Sequence, residues 1–316
     1  MSVRLRSFVL SLFCVTIALP WLPRIAAGMD VIGYEISVAQ TEAGRLRHLA
    51  QRLAKQNLLY QLHLGGVRKS DLVETASRID RVIETLELGS PGYAVPAPWT
   101  PELREALQKV DDTWGPLRSI AIANPYDYLR KTRQFATQEG SMKDPLVIRY
   151  FDTLAENLVR ESEVLMQKYD AECQKSGASP VLCLTASISG YSAMLSEVAT
   201  KEAIYIVAGI DVEEHQKKLQ EAIEGYERGR QAVNDSPFFE AALSTERGQA
   251  GVFAAGLLEH LRTDWDEMQN QFSILNAGDA KNFDLDALLR RHTQFVGRIE
   301  RFTAAMVRYA NIAYAE

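Results

Sequence analysis

The sequence predicts an all-α fold: two tandem up-and-down four-helix bundles that follow a cleaved signal peptide. Three observations carry this expectation. Apolar residues recur at three- and four-residue spacing over almost all of the 316-residue chain after Asp30, with few alternating β-rich runs. Breaks rich in glycine and proline cut that pattern into two sets of four long segments. The two sets also share residues at a fixed offset, since a shift of 146 lays Gly44, Leu49 and Lys55 on Gly190, Leu195 and Lys201.

The opening MSVRLRSFVLSLFCVTIALPWLPRIAAG places Arg4 and Arg6 ahead of an apolar core from Phe8 to Leu22. Ala26, Ala27 and Gly28 follow, small residues suited to a signal peptidase. The apolar run contains Pro20 and falls short of the roughly 20 residues of a comfortable membrane span. Residues 1–27 therefore read as a signal peptide and the remainder as a soluble periplasmic protein, with an uncleaved N-terminal anchor as the alternative. Removing them takes Arg4, Arg6 and Arg24, so Lys and Arg fall from 35 to 32 against 41 acidic residues and the net charge moves from −6 to about −9. A general nucleic-acid binder is expected to be basic, so no nucleic-acid partner is expected.

The breaks fall at Leu64-Gly65-Gly66, at GSPGYAVPAPW (89–99), near Gly140 and between the two later cysteines, then at Gly209-Ile210-Asp211, NDSPFF (234–239) and NAGDAKN (276–282). Helices are expected at 31–64, 70–88, 100–123 and 144–173, with a smaller segment near 125–138. The second set is expected at 184–208, 211–233, 244–272 and 283–315. Two domains, 31–173 and 184–316, follow from this division, each long enough to close a four-helix bundle. Thr100-Pro101, Asp144-Pro145 and Ser236-Pro237 each put a capping side chain before a proline at the first helical position. Gly115-Pro116 predicts a kink in the third helix. Trp114 and Trp265 sit at matching places in the two third helices.

Cys14 leaves with the signal, so Cys173 and Cys183 remain, bracketing CQKSGASPVLC. An even pair around a short turn in an exported protein reads as a structural disulfide. Such a loop is stabilised by roughly 2.5–3 kcal/mol in the chain-entropy treatment.

The stretch AGRLRHLAQRLAKQ (43–56) concentrates positive charge in one helix. At 100° per residue with Leu46 at the centre of the buried stripe, Leu49, Ala50, Leu53, Asn57, Tyr60 and Leu64 fall on the same face. His48 and Lys55 then point to solvent. Arg45 and Arg52 share one flank and are expected to pair with acidic residues of an adjacent helix, contributing little. Arg47 lies on the other flank beside Gln51 and the small Ala43 and Ala54, where another helix can approach closely. A guanidinium there can offer its planar fork to a carboxylate or a small oxyanion.

This stretch resembles the first-helix motif of the type IV pili methyl-accepting chemotaxis transducer N-terminal (PilJ-type) domain, which groups with the nitrate/nitrite sensor (NarX-like) N-terminal domains. Ala43, Gly44, Arg45, Arg47, Leu49, Gln51, Arg52, Ala54 and Lys55 match the motif in order, and ALQKVDDTWGPL of the third helix also fits. The second set, SGYSAMLSEVATKEA, is similar through Gly190, Leu195, Ser196 and Lys201 and reads as a diverged second copy. The resemblance implies an extracytoplasmic sensor bundle, often dimeric, in which a first-helix arginine and its two-fold mate hold a small anion between subunits. The position that aligns with that arginine is Arg47, with Arg45, Gln51 and Arg52 as weaker candidates. Its counterpart in the second copy is Ala193, so a homodimer through the first helix would be needed to bring two arginines together.

No HExxH, Walker loop, GxSxG or GxGxxG motif occurs, and none of the five histidines has a glutamate three residues before it. No catalytic residue, metal ligand or cofactor is assigned, and the chain is expected not to be an enzyme. The expected role is a periplasmic sensory or ligand-binding protein, with a protein–protein interaction scaffold as the alternative. Because the sequence ends at ANIAYAE after its eighth helix, an envelope or membrane-protein partner is expected.

Overall fold

A computed structural model describes residues 26–123, 145–177, 180–235, 249–279 and 282–315. Eight α-helices account for almost all of the described residues: α1 (Ala26–Leu62), α2 (Lys69–Leu88), α3 (Pro101–Ile122), α4 (Pro145–Lys175), α5 (Pro180–Val207), α6 (Val212–Asn234), α7 (Gln249–Asn276) and α8 (Leu285–Ala315). A single 3₁₀ turn (Pro91–Tyr93) precedes α3, and no strand occurs among the described residues. The eight long helices fall within a few residues of the expected ranges. The apolar run 8–22 of the expected signal peptide and the short helix expected near 125–138 lie outside the described residues.

Local signals explain the boundaries. Gly65 and Gly66 both take positive φ (62° and 64°) where the chain turns from α1 into α2, a region that a side chain disfavours. Thr100 caps α3 by accepting the Leu103 N–H at 3.2 Å, and Pro101 occupies the first helical position. The kink site expected at Gly115-Pro116 lies inside one continuous helix, which runs on to Ile122. Cys173 and Cys183 form a disulfide across Cα atoms 6.0 Å apart, tying the end of α4 to the start of α5.

Each set of four helices closes on its own core. In α1–α4 the core includes Leu53, Ile79, Trp114, Phe151 and Leu165, and in α5–α8 it includes Leu219, Trp265, Phe272 and Phe295. The two third-helix tryptophans play the same part. Trp114 donates its indole N–H to Asp80 of α2 at 2.7 Å, and Trp265 donates to Glu227 of α6 at 2.7 Å. Each buried ring thereby finds a polar partner for its one donor.

The two sets meet along α1 and α5, the helices that open them. Their aligned glycines lie face to face: a methyl group built on Gly190 would stand 3.2 Å from the Cα of Gly44 and 3.0 Å from Nη2 of Arg47. Without side chains at these positions, the backbones approach closely enough to bury α1 among α2, α4 and α5, with α8 along one edge.

The seam yields an ordered pair of stabilities. A methyl group at Gly44 would meet nothing nearer than 3.7 Å, so Gly44→Ala keeps the helix-propensity gain of about 1 kcal/mol. At Gly190 the same methyl crowds a backbone atom and a held guanidinium, and overpacking costs about 1–3 kcal/mol. Urea denaturation is expected to rank Gly44→Ala above Gly190→Ala. The reverse order would mean that α1 and α5 do not meet at these glycines.

Candidate functional site

The cations of AGRLRHLAQRLAKQ separate into three environments. Arg47 is buried, 2% exposed. Its Nη1 donates to Glu163 of α4, and its Nη2 to the Ser187 carbonyl of α5 at 3.3 Å. The guanidinium carbon lies 6.0 Å from the centre of the Tyr191 ring, and Nε is buried with no hydrogen-bond partner among the described residues. Arg47 thus clamps α1 to α4 and α5, with its fork already filled by a carboxylate of the same chain. Gln51 is also buried, and its Oε1 has no hydrogen-bond partner among the described residues.

Arg52 and Lys55 converge on Glu197 of α5, which is fully buried. Arg52 Nε lies 3.0 Å from Oε1, and Lys55 Nζ 2.6 Å from Oε2. Lys55 also lies 3.0 Å from Nδ1 of His292 on α8. An ammonium can only donate, so His292 accepts at Nδ1 and carries its proton on Nε2, which stands 3.4 Å from Ser196 Oγ. Burial pushes the Glu197 carboxyl up, but Lys55 and Arg52 outweigh it and hold it below the usual carboxylate range. Burial and the Lys55 charge depress His292 to about 3.

Lys201, which the offset of 146 lays on Lys55, is also held by carboxylates but shifts the other way: burial lowers the proton affinity of Lys55 despite Glu197. Lys201 of α5 donates to Asp152 of α4 at 2.7 Å, with Glu202 3.5 Å away. Burial lowers its affinity for a proton, yet Asp152 and Glu202 outweigh that and raise it. Each lysine therefore reaches from the first helix of one set to the last helix of the other.

Arg45 and His48 face a third environment, a groove of about 560 Å³ between α1, α5 and α8. Its lining includes these two residues with Gly190 and Ala193 of α5 and Ile299 and Glu300 of α8. Arg45 pairs with Glu42 one turn earlier on α1. His48 is 3% exposed and its Nε2 lies 3.7 Å from the Glu300 carboxylate without a hydrogen bond. Burial, then the charge of Arg52, depresses the imidazole to about 3, so it is neutral at ordinary pH.

The expectation that His48 and Lys55 point to solvent is corrected: both are buried. Angular analysis assumes one buried stripe, whereas α1 is covered on several sides. The expected pairing of Arg52 with an adjacent helix is found, while Arg45 pairs within its own helix. Four functional groups, Glu163, Glu197, His292 and Glu300, are missed by the sequence reading. Only Glu197 had a signal, because the offset of 146 lays it on Gln51.

The buried histidines set a pH dependence. His48 and His292 have folded-state values of about 3, below the free value of 6.5. The unfolded chain therefore takes up protons first as pH falls below 6.5, and stability drops towards pH 3. Glu197, held below its ordinary 4.5, acts in the same direction at the acid end, since its contribution is present above 4.5 and lost below. Each such proton costs about 1.4 kcal/mol per pH unit. Denaturation midpoints are expected to fall between pH 6.5 and 4, and His292→Gln should flatten the slope; equal slopes for both proteins would count against a buried neutral His292.

Among the described residues, no three His, Cys, Asp or Glu side chains gather so as to hold a metal ion. No described helix is long and apolar enough to cross a membrane. No curated protein and no solved structure matches the chain. Residues 41–138, from within α1 past the end of α3, match the family model for the type IV pili methyl-accepting chemotaxis transducer N-terminus, PilJ. The match supports a PilJ-type domain over that stretch, the N-terminal part of a sensory transducer family, and it begins two residues before AGRLRHLAQRLAKQ.

Proposed function

We propose that the chain is a non-catalytic, periplasmic sensory module of PilJ type in which one polypeptide supplies both first helices of a sensor pair. Its effector site is the groove between α1, α5 and α8, and an envelope or membrane-protein partner reads the result. The observation that carries this reading is the position of the groove: it opens on the α1–α5 seam and is lined by Arg45 and His48 of the motif-bearing stretch. Its volume of about 560 Å³ is in the range of small-molecule pockets. A molecule seated there touches three helices from both sets at once. Its differential affinity for two packings of those helices is what would shift the population between them.

Ala304 lines the groove from the exposed side of α8, so Ala304→Trp should cover it without entering a core. A thermal-shift panel of small amines, carboxylates and alcohols is expected to contain a class that stabilises the wild type and not Ala304→Trp. A panel that moves neither protein would remove the groove as the effector site.

A small oxyanion at Arg47 is the second reading, favoured by the buried, partnerless Nε. It requires Glu163 to leave the fork. Glu163 is 27% exposed, so Glu163→Ala is expected to cost about 2–3 kcal/mol, less than the 3–5 kcal/mol of a fully buried pair. Acetate or nitrate should then restore part of the melting temperature of Glu163→Ala while leaving the wild type unmoved. Stabilisation of the wild type by nitrate, lost in Arg47→Ala, would instead put the effector at Arg47.

A further inference from the structure

The groove is the place where the second copy lacks its arginine. The residues around the Arg47 guanidinium on α5 are Ser187, Gly190 and Tyr191. The offset of 146 carries these to Thr41, Gly44 and Arg45 of α1, and carries Arg47 itself to Ala193. Thr41, Arg45 and Ala193 all line the groove. On the closed side of the seam, Arg47 fills the space between α1, α4 and α5 and meets Glu163 from the last helix of the first set. On the open side, Ala193 ends at its methyl group and Glu300 from the last helix of the second set faces the space. Two equivalent places are thus occupied differently, one by a built-in cation and one by none.

The chemistry of the lining agrees. Thr41, Ser189 and Thr303 each spend their hydroxyl proton on a carbonyl of their own helix, at 2.8, 2.6 and 2.9 Å, which leaves only acceptor capacity towards the groove. Arg45, the one cation of the lining, is paired with Glu42. His48 is buried and its Nε2 has no hydrogen-bond partner among the described residues. Glu300 is 42% exposed, and among the described residues its one ion-pair neighbour within 4 Å is that imidazole. Tyr34, Val38, Ala186, Ile299 and Val307 supply apolar walls. The site therefore offers acceptors, one uncompensated carboxylate and an apolar slot.

We infer that the groove binds a small organic cation that carries N–H donors on a short apolar stem, an alkylguanidinium or alkylammonium, which takes the place that an arginine at 193 would fill. Glu300 meets the cationic head as Glu163 meets Arg47, and the walls take the stem. This rests on the groove being the effector site, and it reverses the sign of the ligand that the family resemblance implies.

The test is calorimetric titration of the purified protein with n-propylguanidinium and n-hexylammonium, beside n-hexanoate and n-hexanol. Both cations are expected to bind, and the carboxylate at least tenfold more weakly. Glu300→Gln, a substitution on an exposed face, should weaken the cations at least tenfold. Ala304→Trp, and Ala193→Arg where it folds, should abolish binding by covering or filling the space. Equal binding of hexanol or hexanoate, still lost in Ala304→Trp, would overturn the cation and keep the groove. Cation binding that survives Ala304→Trp would overturn both, as would no binding by any of the four probes.

Discussion

The close approach of α1 to α5 at Gly44 and Gly190 is the constraint on which the rest depends. Two helices that meet without side chains at the contact bring their backbones together, and everything beside the contact is then enclosed. For α1 this means enclosure by α2 and α4 on its own side and by α5 and the edge of α8 on the other. A helix with that many neighbours has little solvent-facing surface on which to place charge. Arg47, Arg52 and Lys55 must therefore be answered from within, and the structure answers them with Glu163 of α4 and Glu197 of α5.

Buried pairs of this kind are weak contributors to net stability, because desolvation offsets most of the Coulomb attraction, but removing one partner is costly. Their effect here is on pairing. Arg52 and Lys55 sit on α1, and the carboxylate that receives both sits on α5, at the position that the offset of 146 lays on Gln51. Two α1 helices brought together in the same register would set Arg52 and Lys55 against the same cations with no Glu197 between them. With Gln51 where α5 has Glu197, an α1–α1 pairing in that register would leave like charges buried, which would disfavour it relative to α1–α5 pairing. The short connection and the Cys173–Cys183 disulfide add proximity, since they tether α5 to the end of α4.

Helix order, the Thr100 cap, the cysteine pair and the corresponding glycines were legible in the sequence because each is a local signal or a simple offset. The environments of His48 and Lys55 were not. Their angles on α1 are correctly read from the 3.6-residue period, but the period says where a side chain points and nothing about what stands there. For an outer helix of a bundle the two are equivalent; for one that belongs to a seam between two bundles they are not. The same limit hid Glu163, His292 and Glu300, which lie on helices far along the chain and meet α1 only after folding. Glu197 was within reach, because the offset that aligns Lys55 with Lys201 also lays this carboxylate on the amide of Gln51. The two tryptophans were found by position, while their acceptors, Asp80 and Glu227, depend on how the second and third helices dock.

The two sides of the seam differ in a way that bears on how such a module could respond to anything. Where Arg47 is fixed to the chain, its cation is present whenever the protein is folded, and its pairing with Glu163 holds α1, α4 and α5 in one arrangement. Where the chain offers Ala193, the groove between α1, α5 and α8 stands open, and on the proposed reading a ligand from solution would fill it. Only the second kind of site can shift a population, because a group that binds every state equally and permanently favours none of them. A pair of closed sites would give a rigid body, and a pair of open ones would leave the buried charges of the seam without a fixed frame. One closed and one open side would give a frame on which a ligand at the open side would act.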